Sequence, residues 1–79
     1  MIGLYIFAVK YFSEMNRIKE VLEQKGVKQI WLSKQLGKSY NMINSYAQNR
    51  RQPSIEDLYK IADILSVEAK DLLKENQNI

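Results

Sequence analysis

Side chains able to grip or read a polyanion crowd into one short stretch of this chain. Ser39, Tyr40, Asn41, Asn44, Ser45 and Gln48 are followed at once by Arg50 and Arg51. An asparagine amide sets a donor beside an acceptor, the pair that matches N6 and N7 of adenine, while an arginine guanidinium matches phosphate. The charge pattern points the same way. No acidic residue occurs between Gln24 and Ile55, an interval holding Lys25, Lys28, Lys34, Lys38, Arg50 and Arg51. The rest of the chain carries six bases against nine acids, so the net charge of +3 is gathered at one end of the molecule. Such asymmetry suits a partner with a dense row of negative charge, although a basic surface also serves solubility.

Other chemistries find little support. The 79 residues include neither His nor Cys, there is no glycine-rich phosphate loop, and the acidic residues fall at the spacing of solvated helix faces. These features argue against an enzyme, a metal site, a cofactor or a small-molecule ligand. The apolar run Ile2 to Val9 is far short of the roughly 20 residues that span a bilayer as a helix. It also lacks the preceding basic residues of a secretory signal, so no membrane association is expected. A small domain without disulfides is expected in the cytoplasm.

The elements that must present these side chains follow from periodicity and capping. One core is all that a chain of this length can build, and helix packing or dimerisation must stabilise it. Residues 1–14 are rich in Ile, Tyr, Phe and Val and favour an extended strand. Two readings of them stay open, an arm that pairs with a second copy or a tail added by an upstream start. Asn16 is a candidate N-cap, and Ile18, Val21 and Leu22 recur at helical spacing in a first helix from Arg17 to Lys25, stopped by Gly26. A second helix spans Gln29 to Leu36, with Leu32 and Leu36 inward and the small Ser33 between them. Gly37 ends it. Ser39 then caps a third helix running to about Gln48, whose inward stripe is Met42, Ile43, Tyr46 and Ala47. Tyr40, Asn41, Asn44, Ser45 and Gln48 are thereby turned outward. A polar loop over residues 49–53 leads to Pro53-Ser54 with Glu56 and Asp57 in the next turn, which starts a fourth helix carrying Leu58, Ile61, Ala62 and Leu65. A last short helix from Ala69 carries Leu72 and Leu73. Domain limits of 15–75 follow, with 76–79 frayed. Trp31 and Tyr59 read as partly buried core aromatics.

Gln29 to Gln48 therefore has the layout of two helices joined by a tight glycine turn, the second able to lie in a major groove. Ser33 sits where the helices cross, Gly37 in the turn and Ile43 on the buried face. With these landmarks the sequence resembles the bacterial and phage helix-turn-helix regulators that include the lambdoid phage repressors and Cro proteins, the XRE family. The resemblance covers residues 16–75: Asn16-Arg17-Ile18, Gly26, Gln29, Leu32, Leu36-Gly37, Ile43, Arg50 to Ser54, Leu58, Ile61-Ala62, Leu65 and Leu72-Leu73. It implies an all-α bundle of five helices, a homodimer on a roughly palindromic operator, and transcriptional regulation. Repression is the expected sign. The resemblance also implies base readout by Tyr40, Asn41 and Ser45 with Asn44 beside them. It implies phosphate contacts by Gln29 and Arg50, to which the basic and polar face adds Lys38, Ser39, Gln48 and Arg51.

The chain departs from the family pattern at several positions. Lys28 stands where Thr commonly caps the second helix, Ser33 replaces a small Ala, and Ser66 and Asn49 stand where Gly is frequent. Trp31 takes a position that is usually charged; covering the N-terminal segment, lining a dimer contact and touching the DNA backbone all remain open for it. A different functional class is also open: a protein-interaction module, such as an antitoxin engaging its partner through the apolar N-terminal arm and binding DNA secondarily.

Overall fold

The computed structural model describes residues 15–74. Four α-helices follow one another, α1 (Ile18–Lys25), α2 (Gln29–Leu36), α3 (Tyr40–Ala47) and α4 (Ile55–Leu65), and a 3-10 turn (Ala69–Leu72) closes the chain. Among the described residues, the five expected helices correspond to four α-helices and a 3-10 turn. A capping box between Glu68 and Asp71 fixes its start, and it stops after four residues because Leu73 is already extended and bridged to Asn16. The expected N-terminal strand lies outside the described residues.

Each element sends one side chain to the centre with no measurable exposure. Ile18, Leu32, Ile43, Ile61 and Leu72 are all 0% exposed. Val21, Leu22, Tyr46, Leu58, Ala62 and Leu65 complete the buried cluster. This arrangement makes the small core depend on every element at once, each full burial contributing about 1.5–3 kcal/mol. Pairwise, α2 packs on α3 and α4, α1 on α3, and α4 on the 3-10 turn. Ser33 is 3% exposed at the α2 crossing, and its hydroxyl donates to the Ile30 carbonyl at 2.7 Å, so the one polar side chain of that contact is satisfied.

All four helices end by the same device. A residue in the left-handed region, Gly26 (φ 65°), Gly37 (φ 75°), Asn49 (φ 61°) or Ser66 (φ 59°), turns the chain back. The next N–H then donates to a carbonyl five residues upstream: Val27 to Leu22, Lys38 to Ser33, Arg50 to Ser45 and Val67 to Ala62, at 2.9–3.0 Å. Three residues of these closures, Gly26, Gly37 and Asn49, were legible in the sequence as turn formers.

Three local expectations are corrected. First, Asn16 is not the N-cap of α1, since Arg17 holds that position; the Asn16 Oδ1 still accepts from the Ile18 N–H at 2.9 Å. Second, Tyr59 is 63% and Trp31 44% exposed, so neither is a core aromatic. Tyr59 lies with Ile55 on a flank of α4 turned away from Leu58, Ile61 and Leu65. Third, Leu73 is 44% exposed, because the chain is extended there rather than helical. Residues 15–17 and 72–74 instead run side by side: Asn16 and Leu73 form an antiparallel bridge, with Arg17 N–H donating to the Leu72 carbonyl at 2.8 Å and Lys74 N–H to Met15 at 3.0 Å. Among the described residues no helix is long and apolar enough to cross a membrane.

Candidate nucleic-acid interface

The candidate surface is set by how α3 begins. Ser39 is extended and its Oγ accepts the Met42 N–H at 3.1 Å, fixing the first turn. With Ile43, Tyr46 and Ala47 buried, the helix can present only its opposite face. Tyr40, Asn41 and Gln48 are exposed on it, whereas Asn44 and Ser45 sit half-buried along its flank. The amide of Asn41 has no partner among the described residues, leaving its donor and acceptor available.

Asn44 is engaged at both ends. Its Nδ2 donates to Gln29 Oε1 at 3.0 Å, and its Oδ1 accepts from Arg50 Nη2 at 2.9 Å. A residue at the start of α2, one in mid-α3 and one in the following loop are thereby joined in a single chain of hydrogen bonds. The two outer members are those expected at phosphates. The N-terminus of α2 also lacks a side-chain cap, since Lys28 has nothing to accept with, and its first turn holds no acidic residue. Its amides and dipole remain directed at the same face.

Other expected ligands are placed differently. Lys38 is drawn into an ion pair with Asp57 at 3.3 Å, tying the α2–α3 turn to the start of α4. The hydroxyl of Ser39 is committed to its cap. Arg51 is exposed and reaches back to Met42, Nη1 to Sδ 3.5 Å. Arg17, outside the expected set, pairs with Glu20 at 2.9 Å, and its hydrogen bond holds the Glu20 carboxyl below the usual carboxylate range. Of the bases between Gln24 and Ile55, Lys38 alone forms an ion pair with a carboxylate among the described residues.

Three residues that matter to this surface escaped sequence reasoning as a group: Asn16, Asn49 and Gln52. The sequence marks Asn49 only as standing where Gly is frequent, and Gln52 only as part of a polar loop. In the structure they meet in one cluster of amides beside Arg50 and Arg51. The hydrophilic loop was the only local signal, because Asn16 arrives from more than thirty positions away.

A recognition helix capped at its start, packed on a preceding short helix across a glycine turn, and flanked by a basic loop is the geometry of a helix-turn-helix. The comparisons agree. The helix-turn-helix family model matches residues 18–72. Among solved structures, the chain is similar to a Bacteroides fragilis protein provisionally described as DNA-binding, with 42% identity and a TM-score of 0.75, over 76% of this chain and 97% of that one. Among curated proteins none matches. The chain belongs to the XRE-type helix-turn-helix family.

Proposed function

We propose that this chain is a sequence-specific regulator of transcription that binds double-stranded DNA, laying α3 in the major groove. The observation that carries the reading is the Gln29–Asn44–Arg50 chain, which joins two candidate phosphate ligands through the helix that exposes Tyr40 and Asn41. On this reading Tyr40, Asn41 and Ser45 meet base edges. Asn44 lies beside them with one N–H and one lone pair of its amide not used by Gln29 and Arg50. Gln29, Arg50, Arg51 and Gln48 meet the backbone, with Lys38 and Ser39 close behind them. The protein acts as a homodimer on two half-sites about one helical turn apart and represses by occupying its operator in the cytoplasm.

Selection of bound fragments from random duplex DNA tests the proposal. A recovered site with two related halves is the expected result; recovery of unbiased sequence would overturn sequence-specific regulation. Exposed Ile55 and Tyr59 favour a second reading, a protein-interaction module that binds DNA secondarily. Under it, unbiased recovery would be accompanied by tight binding to a protein partner.

A further inference from the structure

We propose that Asn16, Asn49 and Gln52 are positioning residues that hold the Arg50–Arg51 loop in its DNA-binding shape before DNA arrives. The inference rests on the reading above, that these arginines meet phosphates.

The three amides are bonded to one another. Asn16 N–H donates to Asn49 Oδ1 at 2.9 Å, and Asn49 Nδ2 returns a bond to the Asn16 carbonyl at 3.1 Å. The Asn16 side chain donates from Nδ2 to the Tyr46 carbonyl at 2.9 Å and to Gln52 Oε1 at 2.8 Å. Gln52 Nε2 closes the ring on Asn49 Oδ1 at 3.1 Å. Asn16 is 3% exposed, and no buried side-chain nitrogen or oxygen among the described residues lacks a partner. An interlinked amide cluster with no buried polar atom left unpaired favours one arrangement of the loop.

Its position indicates what it is for. Asn49 and Gln52 stand immediately before and after the two arginines, so the loop is pinned on both sides of them. Helix closure does not require the pinning. Helices α1, α2 and α4 also end with a left-handed residue and the same backbone bond, and among the described residues none of those closures carries an amide cluster. The cluster is therefore additional to what ends α3, and it falls at the one closure whose next residues are Arg50 and Arg51. Ordering two long cationic side chains on binding weakens affinity; an anchored loop meets part of that cost during folding.

The test is a thermodynamic cycle with the full chain and a fluorescently labelled duplex of mixed sequence, followed by anisotropy at several salt concentrations. Gln52→Leu keeps the side chain's bulk and removes its bonds. It should weaken binding about tenfold, and the loss should vanish when introduced into an Arg50→Ala/Arg51→Ala background. Asn49→Gly is the second variant, because glycine preserves the left-handed closure while deleting the lock, and it should show the same loss with the same non-additivity. The proposal is overturned if both variants bind like the parent, or if their losses add in full to the arginine substitutions, since the amides would then act through general stability alone. Failure of the parent chain to bind any duplex would overturn the functional reading itself.

Discussion

Replacing Asn41 and Asn44 separately should split specificity from affinity, although the two residues lie three apart on one helix. Asn41 is exposed, and its amide has no partner among the described residues. A two-bond contact from such an amide to adenine is worth about 1–3 kcal/mol against the wrong base, or about 5-fold to 160-fold in preference at that position. Asn41→Ala should erase that preference at one position per half-site. Stability should stay within about 0.5 kcal/mol, because nothing buried is disturbed. Asn44→Ala removes instead the link between Gln29 and Arg50, whose bonds measure 3.0 and 2.9 Å. Each is worth about 0.5–1.5 kcal/mol. The expected result is weaker binding to every duplex, with base preference retained at each position. Site selection on the three proteins, followed by titration of the selected duplex and single-base variants, measures both quantities. Identical preferences for the parent and Asn41→Ala would refute base reading by Asn41. Loss of one base preference in Asn44→Ala, with unchanged affinity for unrelated duplexes, would refute the bridging role and make Asn44 a reader.

Arg50→Ala combined with Arg51→Ala should lower the slope of log K against log salt by about 1.8 per monomer, a loss of about 60-fold near 0.1 M salt, while the thermal midpoint falls by only a few degrees with the exposed Arg50–Asn44 bond; anisotropy titrations and a melting curve check both halves. Gly37→Ala meets open space, nothing lying within 4 Å of the added carbon, but it must hold a φ of +75°. It should cost about 1–2 kcal/mol, and calorimetry should show a fall of roughly 4–8 °C per kcal/mol. Ser66→Gly relieves the same strain at a φ of 59° and should raise the midpoint by a few degrees. Deleting residues 1–14 should leave helicity by circular dichroism unchanged. Sedimentation of the shortened chain then reports whether those residues support dimerisation.

The helices were legible because each is written as a local pattern. Ile18, Val21 and Leu22, or Leu58, Ile61, Ala62 and Leu65, repeat at helical spacing, and Gly26, Gly37, Ser39 and Ser54 mark limits through bonds spanning only a few residues. The outward face of α3 followed from the inward one. What stayed hidden depends on meetings across the chain. Nothing near Lys38 announces Asp57, and nothing near Asn44 announces Gln29, fifteen residues earlier. Asn16 looked like a cap because asparagine commonly is one. Its main work here is with Asn49, Gln52 and Tyr46, thirty or more residues away. The final helix is shorter than the stripe of Leu72 and Leu73 suggests, because Leu73 is extended and bridged to Asn16 from the far end of the domain.

The bridge between Asn16 and Leu73 brings the entry and exit of the folded unit to a single point. A short linker could join them there, and new ends could be opened at the Gly26 turn, where an added side-chain carbon would meet no atom within 4 Å. The unit is therefore suited to circular permutation and to insertion as a cassette within a host protein's surface loop. In either format both attachment points would leave from one place, and α3 would keep its setting without a strand of the host crossing the fold.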